Sequence, residues 1–222
     1  TLCYGCSGAR WRIWPKQQGV TGMEFYQEIK LLPTMEFSVN ILWSKIYEQL
    51  HIKLAELQNN EKDGEIGIAF PKYCNSEEKT GLGHSMRIFA PTREYLENLD
   101  VANTLRRYRD YFVANPIHKI NAKKIRGYAV YSRFRFENSR SQKAKRYAKR
   151  HNISYQEALS LFPLDRCGKE PPYIQFKSLS NGNKFRLYVV KKLVDSPRDG
   201  GFSAYGLSDT ATVPEFLTDN SF

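Results

Sequence analysis

Proton transfer near neutral pH is the chemistry that histidine supplies best, because its usual pKa lies closest to that range. The chain has four candidates: His51, His84, His118 and His151. His84 lies in a Gly-rich loop, and His151 ends a basic segment, where it suits a helix cap or a contact with a nucleic-acid groove. His51 follows Leu50 on the apolar stripe of a predicted helix. A lone helical His is more often a surface or core-edge residue, so its position alone assigns it no role.

Metal chemistry has little support in the sequence, since no carboxylate pair, ligand cluster or Walker loop stands out. Cys3 and Cys6 form a lone CxxC, and Cys74 and Cys167 add no second CxxC to complete a zinc site. A nucleic-acid enzyme of this composition would have to work without a bound metal, and we expect no cofactor. RNA allows this, because its own 2′-OH can attack the adjacent phosphate when a protein moves the proton and fixes the geometry.

The strongest charge signal is the stretch SRFRFENSRSQKAKRYAKRH, Ser132 to His151. From Ile117 to His151 there are twelve Lys and Arg and one acid, in a chain of 222 residues with a net charge of +11. An anionic partner would neutralise this self-repulsion, and nucleic acid is the leading candidate. A membrane surface suits it less, because no lipid-facing apolar stripe accompanies the charge. Without a transmembrane run or a signal peptide, we expect a cytoplasmic protein.

Arg133 and Arg135 lie two positions apart on a predicted strand, so both should project from one face. Phe134 and Phe136 would then project from the other face, towards a core. The two arginines precede a second group of charges directly, which favours a nucleic-acid surface over a merely solvated basic face.

The segment after this strand favours a helix with two different sides. Ala144, Tyr147 and Ala148 share one side, and their size would let the helix lie close to the sheet. The other side carries Lys143, Arg146, Lys149 and Arg150. Such a helix can enter a groove or follow a phosphate backbone.

The elements that would position these residues follow from periodicity and turn signals. The first half predicts strands at Phe25–Leu32, Glu65–Pro71 and Ser85–Pro91, and helices over Ser38–Leu57 and from Thr92, with Leu105–Phe112 unassigned. The second half predicts a strand at Gly127–Phe136, a helix at Ser139–Arg150 ended by Asn152, a capping box at Ser154–Glu157, and two strands joined at Asn181-Gly182. The order of the first half indicates a ferredoxin-like arrangement.

Five motifs, in this order, carry a resemblance to a known family. They are MEFYQEIKLLPTMEF from Met23, IGIAFP from Ile66, SRFRF…KAKRYAKRHNIS from Ser132, SLSNGNKFRLYV from Ser178 and GGFSAYGLS…VPEF from Gly200. Together they resemble the repeat-processing endoribonuclease of type I-F CRISPR systems, over about residues 23–216. The resemblance implies metal-free cleavage at the 3′ foot of the repeat hairpin, leaving a 2′,3′-cyclic phosphate or 3′-phosphate and a 5′-OH. The family then stays bound to the crRNA with the other subunits of the surveillance complex.

The resemblance also implies roles for individual residues. His51 falls on the catalytic histidine, Ser178 on the serine that holds the attacking ribose, and Tyr205 on a supporting tyrosine. RNA-binding positions are Arg133, Arg135, Lys143, Arg146, Lys149, Arg150 and Phe185, the last stacking under the terminal base pair. The chain departs from the pattern at Arg135, where Gln is usual, and in a groove helix that mixes Lys with Arg.

We therefore expect an α+β protein, with a ferredoxin-like domain at residues 23–115 and an RNA-hairpin-binding α/β domain at 116–216 that carries the Arg/Lys-rich groove-binding helix. Residues 1–22 are expected to be a disordered or non-native extension, and 217–222 a tail. Two alternatives stay open: a subunit of the same complex that binds the hairpin without cutting it, and a basic DNA-binding protein.

Overall fold

A computed structural model describes residues 22–58, 64–135, 140–162, 170–177 and 182–216, with only the backbone described for residues 140–142. Residues 1–21 of the predicted extension, the predicted tail, Phe136 and Ser178 lie outside the described residues. In chain order the described elements are β1 Phe25–Leu31, α1 Val39–Gln58, β2 Gly67–Ala69, β3 Cys74–Asn75, β4 Thr80–Gly81, β5 Ser85–Ala90, α2 Arg93–Leu99, α3 Val101–Thr104, a 3₁₀ helix Arg106–Tyr111, β6 Phe112–Ala114, β7 His118–Lys119, a 3₁₀ helix Ala122–Lys124, β8 Ile125–Phe134, α4 Arg140–His151, α5 Tyr155–Ser160, β9 Tyr173–Lys177, β10 Lys184–Val194 and β11 Val213–Phe216.

The protein is α+β, as predicted, and its first sheet is antiparallel with the strand order β2-β5-β1-β6. The central pair, β1 with β5, is in register from Phe25 opposite Ala90 to Lys30 opposite Ser85. The short strand β7 also pairs with β1. The segment that the sequence left unassigned forms a 3₁₀ helix and then β6, which covers the free edge of β1.

Helix α1 connects this sheet to the second one. It contacts α2, α3 and strand β9 of the second sheet. Of its predicted apolar stripe, Leu42, Ile46, Leu50 and Leu54 are buried, and Leu57 at the end is partly buried. Because both sheets pack against one helix, residues along α1 can meet side chains from both halves of the chain.

The second sheet is antiparallel and has the order β11-β8-β10-β9. Strands β9 and β10 pair with each other as predicted. Of the Asn181-Gly182 turn predicted between them, Asn181 lies outside the described residues, and Gly182 has a φ of +70°. Strand β11 was not predicted, because Pro214 lowers strand propensity in the VPEF motif. It is tolerated here because β11 lies at the edge of the sheet, where one side of the strand needs no ladder partner.

One prediction about the β8 face is wrong. Phe134 was expected to face a core, yet it is 39% exposed. The buried side of this end of β8 is instead the side of Tyr131, whose hydroxyl donates to the Phe70 carbonyl oxygen at 3.1 Å. Arg133 lies on the same side as Tyr131, because alternate strand residues share a face.

The basic helix α4 has the two sides that the sequence predicted. Ala144 is fully buried and Tyr147 is half-buried, with its ring edge-on to Phe162 at 5.7 Å. This inner side packs chiefly against α5, where the sequence predicted the sheet. The helix ends at Asn152, whose φ is +52°, and α5 begins with the predicted capping box. Among the described helices, none is long and apolar enough to cross a membrane.

Candidate active site

His51 lies on α1 and is half-buried. Its Nδ1 atom is 2.8 Å from the backbone carbonyl oxygen of Ala204. Because a carbonyl oxygen can only accept, Nδ1 carries the hydrogen of this bond. In the neutral ring, Nε2 then holds the lone pair and is the atom that can accept a proton. The bond therefore fixes the tautomer and the ring orientation that a general base requires.

Tyr205 provides the second fixed contact of the imidazole. Its ring stacks on that of His51, with the ring centroids 4.1 Å apart and the planes at 6°. The phenol is half-buried, so one part of this stacked pair is open to solvent. A substrate can approach the pair without displacing the core beneath it.

The loop Gly200–Ser208, which follows β10, carries both Ala204 and Tyr205. It folds back on itself, since the Ser203 N–H donates to the Leu207 carbonyl oxygen at 2.8 Å. It is also attached to the first sheet, where the Ile68 N–H donates to the Gly206 carbonyl oxygen at 2.8 Å. Gly206 has a φ of +65°, a conformation that glycine adopts without strain. The loop is therefore placed by contacts with β2 as well as with α1.

Phe176 on β9 forms the floor beneath this pair. It is 3% exposed, and its ring is edge-on to His51 at 5.8 Å and to Tyr205 at 5.5 Å. Phe185, its cross-strand neighbour on β10, stacks on it at 5.4 Å and 13°. The β9–β10 hairpin of the second sheet thus contacts His51 through the Phe176 ring, on which Phe185 stacks.

Arg133 brings positive charge to the same place. Its guanidinium carbon lies 5.6 Å from the centre of the Tyr205 ring and 5.7 Å from that of Phe185. Arg135 is exposed and follows the last residue of β8. The structure therefore brings four of the predicted residues together: His51, Arg133, Phe185 and Tyr205.

A family model described as CRISPR-associated protein (Cas_Csy4) matches residues 26–216. The chain belongs to the Csy4 family. Two curated relatives, both called CRISPR-associated endonuclease Cas6/Csy4, match along their whole length and over 87% of this chain. The relative from Escherichia coli (strain UTI89 / UPEC) is 28% identical over 196 residues, and that from Pseudomonas aeruginosa (strain UCBPP-PA14) is 29% identical over 204.

A solved structure titled "An RAMP protein binding different RNA substrates" covers 86% of this chain and all of its own, at 13% identity and a TM-score of 0.33. A TM-score of 0.33 is too low for this structure to inform the fold. The predicted family is confirmed by the family model, and the match spans both sheets of this Csy4-family chain.

The basic side of α4 presents the charges that the sequence assigned to RNA. Arg146, Lys149 and Arg150 are exposed, whereas Lys143 is half-buried. Lys145, which was not singled out, is exposed as well. His151 is also exposed, and its ring stacks on that of Tyr147 with centroids 4.1 Å apart.

The structure does not place Ser178, which lies outside the described residues. The described part of β9 ends at Lys177, next to Phe176. In the described part of this Csy4-family chain, no group of three or more His, Cys, Asp or Glu is arranged to hold a metal ion.

Sequence reasoning missed two residues that help to place the site. Tyr47, one turn before His51 on α1, donates its hydroxyl to the Tyr205 carbonyl oxygen at 2.6 Å. Gln58, two turns after His51, donates its Nε2 to the Phe202 carbonyl oxygen at 2.8 Å. The available signal was their spacing, since positions 47, 51 and 58 share one face of a helix.

Proposed function

We propose that this Csy4-family chain is a metal-independent endoribonuclease that binds the CRISPR repeat hairpin and cuts pre-crRNA once, at the 3′ foot of that hairpin. The observation that carries the proposal is the hydrogen bond of the half-buried His51 imidazole, whose Nδ1 donates to the Ala204 carbonyl oxygen. This leaves Nε2 for proton transfer. The two curated relatives named as CRISPR-associated endonucleases support cleavage as the activity.

The reaction that suits this site is self-attack by the RNA. The 2′-oxygen before the cut attacks the adjacent phosphorus and loses its proton, and the bond from phosphorus to the 5′-oxygen breaks. The products are a 2′,3′-cyclic phosphate, which water can open to a 3′-phosphate, and a 5′-OH. Nε2 of His51 either accepts the proton of the 2′-OH or, when protonated, donates one to the leaving 5′-oxygen.

Ser178 is proposed to position the attacking ribose, as the resemblance implies, with Tyr205 in a supporting role. What supports Ser178 is the end of β9 at Lys177, because Phe176 in that strand already contacts His51. What supports Tyr205 is its stack on the imidazole, which restricts the ring to one orientation.

Hairpin binding is proposed to use one surface beside His51 and another on α4. Phe185 would stack under the terminal base pair, and Arg133 and Arg135 would contact bases near the stem's foot. The side chains proposed to grip phosphates or the groove are Lys143, Arg146, Lys149 and Arg150. An A-form major groove is normally too deep and narrow for side chains, but a short hairpin with an open loop end admits a slim helix.

We also propose that the chain divides into a ferredoxin-like domain at residues 23–115 and a hairpin-binding domain at 116–216. The strand order β2-β5-β1-β6, with helices after β1 and β5, supports the first part. His118 and Lys119 pair with β1, so the first residues of the proposed second domain still add a short strand to the first sheet. The buried core continues from Ile68 in the first sheet to Ile174 and Leu187 in the second, so the two parts pack firmly together.

After cleavage, the protein is proposed to stay on the mature crRNA within a type I-F surveillance complex. The resemblance supports this, and retention of the hairpin by the exposed α4 charges would allow it. Co-purification of the chain with cleaved repeat RNA and the other subunits tests the proposal, and release of the product hairpin on cleavage contradicts it.

A gel assay tests the activity and separates the alternatives. Labelled repeat-hairpin RNA and a DNA of matching sequence are each incubated with the protein in EDTA. We expect the RNA to be cut once, with a 5′-OH on the downstream product. RNA that is bound but intact would favour a non-cleaving subunit, preferential DNA binding would favour the DNA-binding alternative, and cleavage abolished by EDTA would contradict metal independence.

A further inference from the structure

Helix α1 holds the Gly200–Ser208 loop through three side chains on one face. Tyr47, His51 and Gln58 donate to the carbonyl oxygens of Tyr205, Ala204 and Phe202, at 2.6, 2.8 and 2.8 Å respectively. The helix therefore fixes the backbone of this loop at three points within four residues. Only the middle bond involves the residue proposed to transfer a proton.

The hydrogen bond from Tyr47 is deeply buried, and in it the Tyr47 hydroxyl is always the donor. Tyr47 is 0% exposed, and burial raises the pKa of its phenol, so the group stays protonated and acts as a donor. Its ring is held by Phe70 at 6.1 Å and by Phe176 at 5.8 Å. Because the ring has no freedom to move away, the position of the hydroxyl fixes the position of the Tyr205 carbonyl group.

The Tyr205 carbonyl is linked to the imidazole in two ways. The side chain of the same residue stacks on His51 with centroids 4.1 Å apart, and the preceding residue, Ala204, supplies the acceptor for Nδ1. A shift of the carbonyl therefore moves both contacts of the imidazole together. Proton transfer depends steeply on such geometry, since a displacement of about 1 Å can lower a rate about 100-fold.

We propose that Tyr47 is a positioning residue, which orients the His51 imidazole by holding the Tyr205 carbonyl oxygen. The inference rests on the proposed function of His51 and adds a residue that acts only through it. Tyr47 has no need to touch RNA, because it is buried beneath the loop. It should therefore affect the chemical step and leave hairpin affinity unchanged.

The test is a double-mutant cycle of Tyr47→Phe and His51→Ala, measured by single-turnover cleavage of labelled repeat-hairpin RNA with saturating protein. Phe keeps the ring and its contacts with Phe70 and Phe176, so the variant should fold. We expect Tyr47→Phe to lower the cleavage rate constant by about 10- to 100-fold with the Kd for the hairpin unchanged. On the His51→Ala background, the same substitution should have no further effect on the residual rate.

Tyr73→Phe is the matched control. Its hydroxyl also donates to a backbone carbonyl oxygen, that of Val189 at 3.2 Å, and its ring is edge-on to Tyr131, so its described side-chain contacts do not include His51, Ala204 or Tyr205. The control should retain the wild-type rate, even where thermal unfolding shows that both Phe variants lose stability.

A second readout is the ¹⁵N NMR spectrum of the imidazole, assigned with the His51→Ala protein. The wild-type neutral ring should be protonated at Nδ1, and Tyr47→Phe should give a mixture of the two tautomers. A wild-type rate for Tyr47→Phe, or an equal fold-loss on both backgrounds, overturns the positioning role. A wild-type rate for His51→Ala overturns the proposed function itself, so the two failures are distinguishable.

Discussion

Replacing Gly206 with alanine tests whether close packing sets the loop that carries Tyr205. Gly206 has a φ of +65°, so any other residue is strained there. An added Cβ would also lie 2.6 Å from Cγ1 and 2.8 Å from Cδ1 of Ile68 on β2. Ile68 is fully buried, which leaves it little room to move away. The substitution therefore combines a backbone penalty with a steric one.

Gly182 separates these two contributions. It has a similar φ of +70°, yet an added Cβ would meet no atom of the described residues within 4 Å. Gly182→Ala should therefore show the backbone penalty alone, about 1–2 kcal/mol. Gly206→Ala adds overpacking, which typically costs about 1–3 kcal/mol, so its total loss should be about 2–5 kcal/mol.

Urea denaturation of both variants measures the free energy of unfolding. Single-turnover cleavage of the repeat hairpin shows whether the loop shift reaches the active site, where we expect Gly206→Ala to be slower than wild type. An equal loss of unfolding free energy in the two variants would refute the reasoning, because the clash with Ile68 would then contribute nothing to the destabilisation.

Three further predictions concern the RNA. Ser178→Ala should slow cleavage, and an RNA with a 2′-deoxy sugar at the cut should bind but stay intact; cleavage of that RNA would exclude attack by the 2′-OH. Replacing Lys149 and Arg150 together with alanine should flatten the salt dependence of binding by about 0.7–0.9 in the log–log slope for each phosphate that the helix no longer neutralises; an unchanged slope would mean that α4 does not contact phosphates. Arg135→Gln should lose about 1–3 kcal/mol on a hairpin with G·C at the contacted step and shift preference towards A·U, because Arg pairs with guanine and Gln with adenine. An equal loss on both hairpins would assign Arg135 to the backbone.

Local sequence patterns predicted most elements of the fold. The three- and four-residue spacing of Leu42, Ile46, Leu50, Leu54 and Leu57 predicted α1. The first four side chains are buried, and Leu57 is partly buried. The capping box at Ser154 and the left-handed Asn152 were likewise encoded within a few residues. These signals lie within a few residues of each other, so they can be recognised without knowledge of the tertiary structure.

The arrangement around His51 could not be predicted in the same way. The bond from His51 to Ala204 joins residues 153 positions apart, and no periodicity encodes such a contact. The Gly200–Ser208 loop was singled out for its composition and for the resemblance, which gave Tyr205 a supporting role but did not predict the Ala204 contact. Tyr47 was given no role, because it resembles any other core residue. The prediction that Phe134 faces a core was wrong for a related reason. Alternating residues show that the two faces of a strand differ, but they do not show which face packs against the rest of the protein.

The resemblance supplied the role of His51, and the structure supplies a physical reason for it. The Nδ1 hydrogen bond, the Tyr205 stack and the nearby Arg133 guanidinium form a site in which one nitrogen is available for proton transfer. The composition alone had indicated only a basic protein with an anionic partner.

The most direct test of proton transfer by His51 is single-turnover cleavage of the repeat hairpin by His51→Ala in EDTA, with hairpin affinity measured in parallel. We expect a rate constant lower by about 10²–10⁴-fold, the usual contribution of a positioned acid or base, with the Kd unchanged. Cleavage by His51→Ala at the wild-type rate would contradict this role.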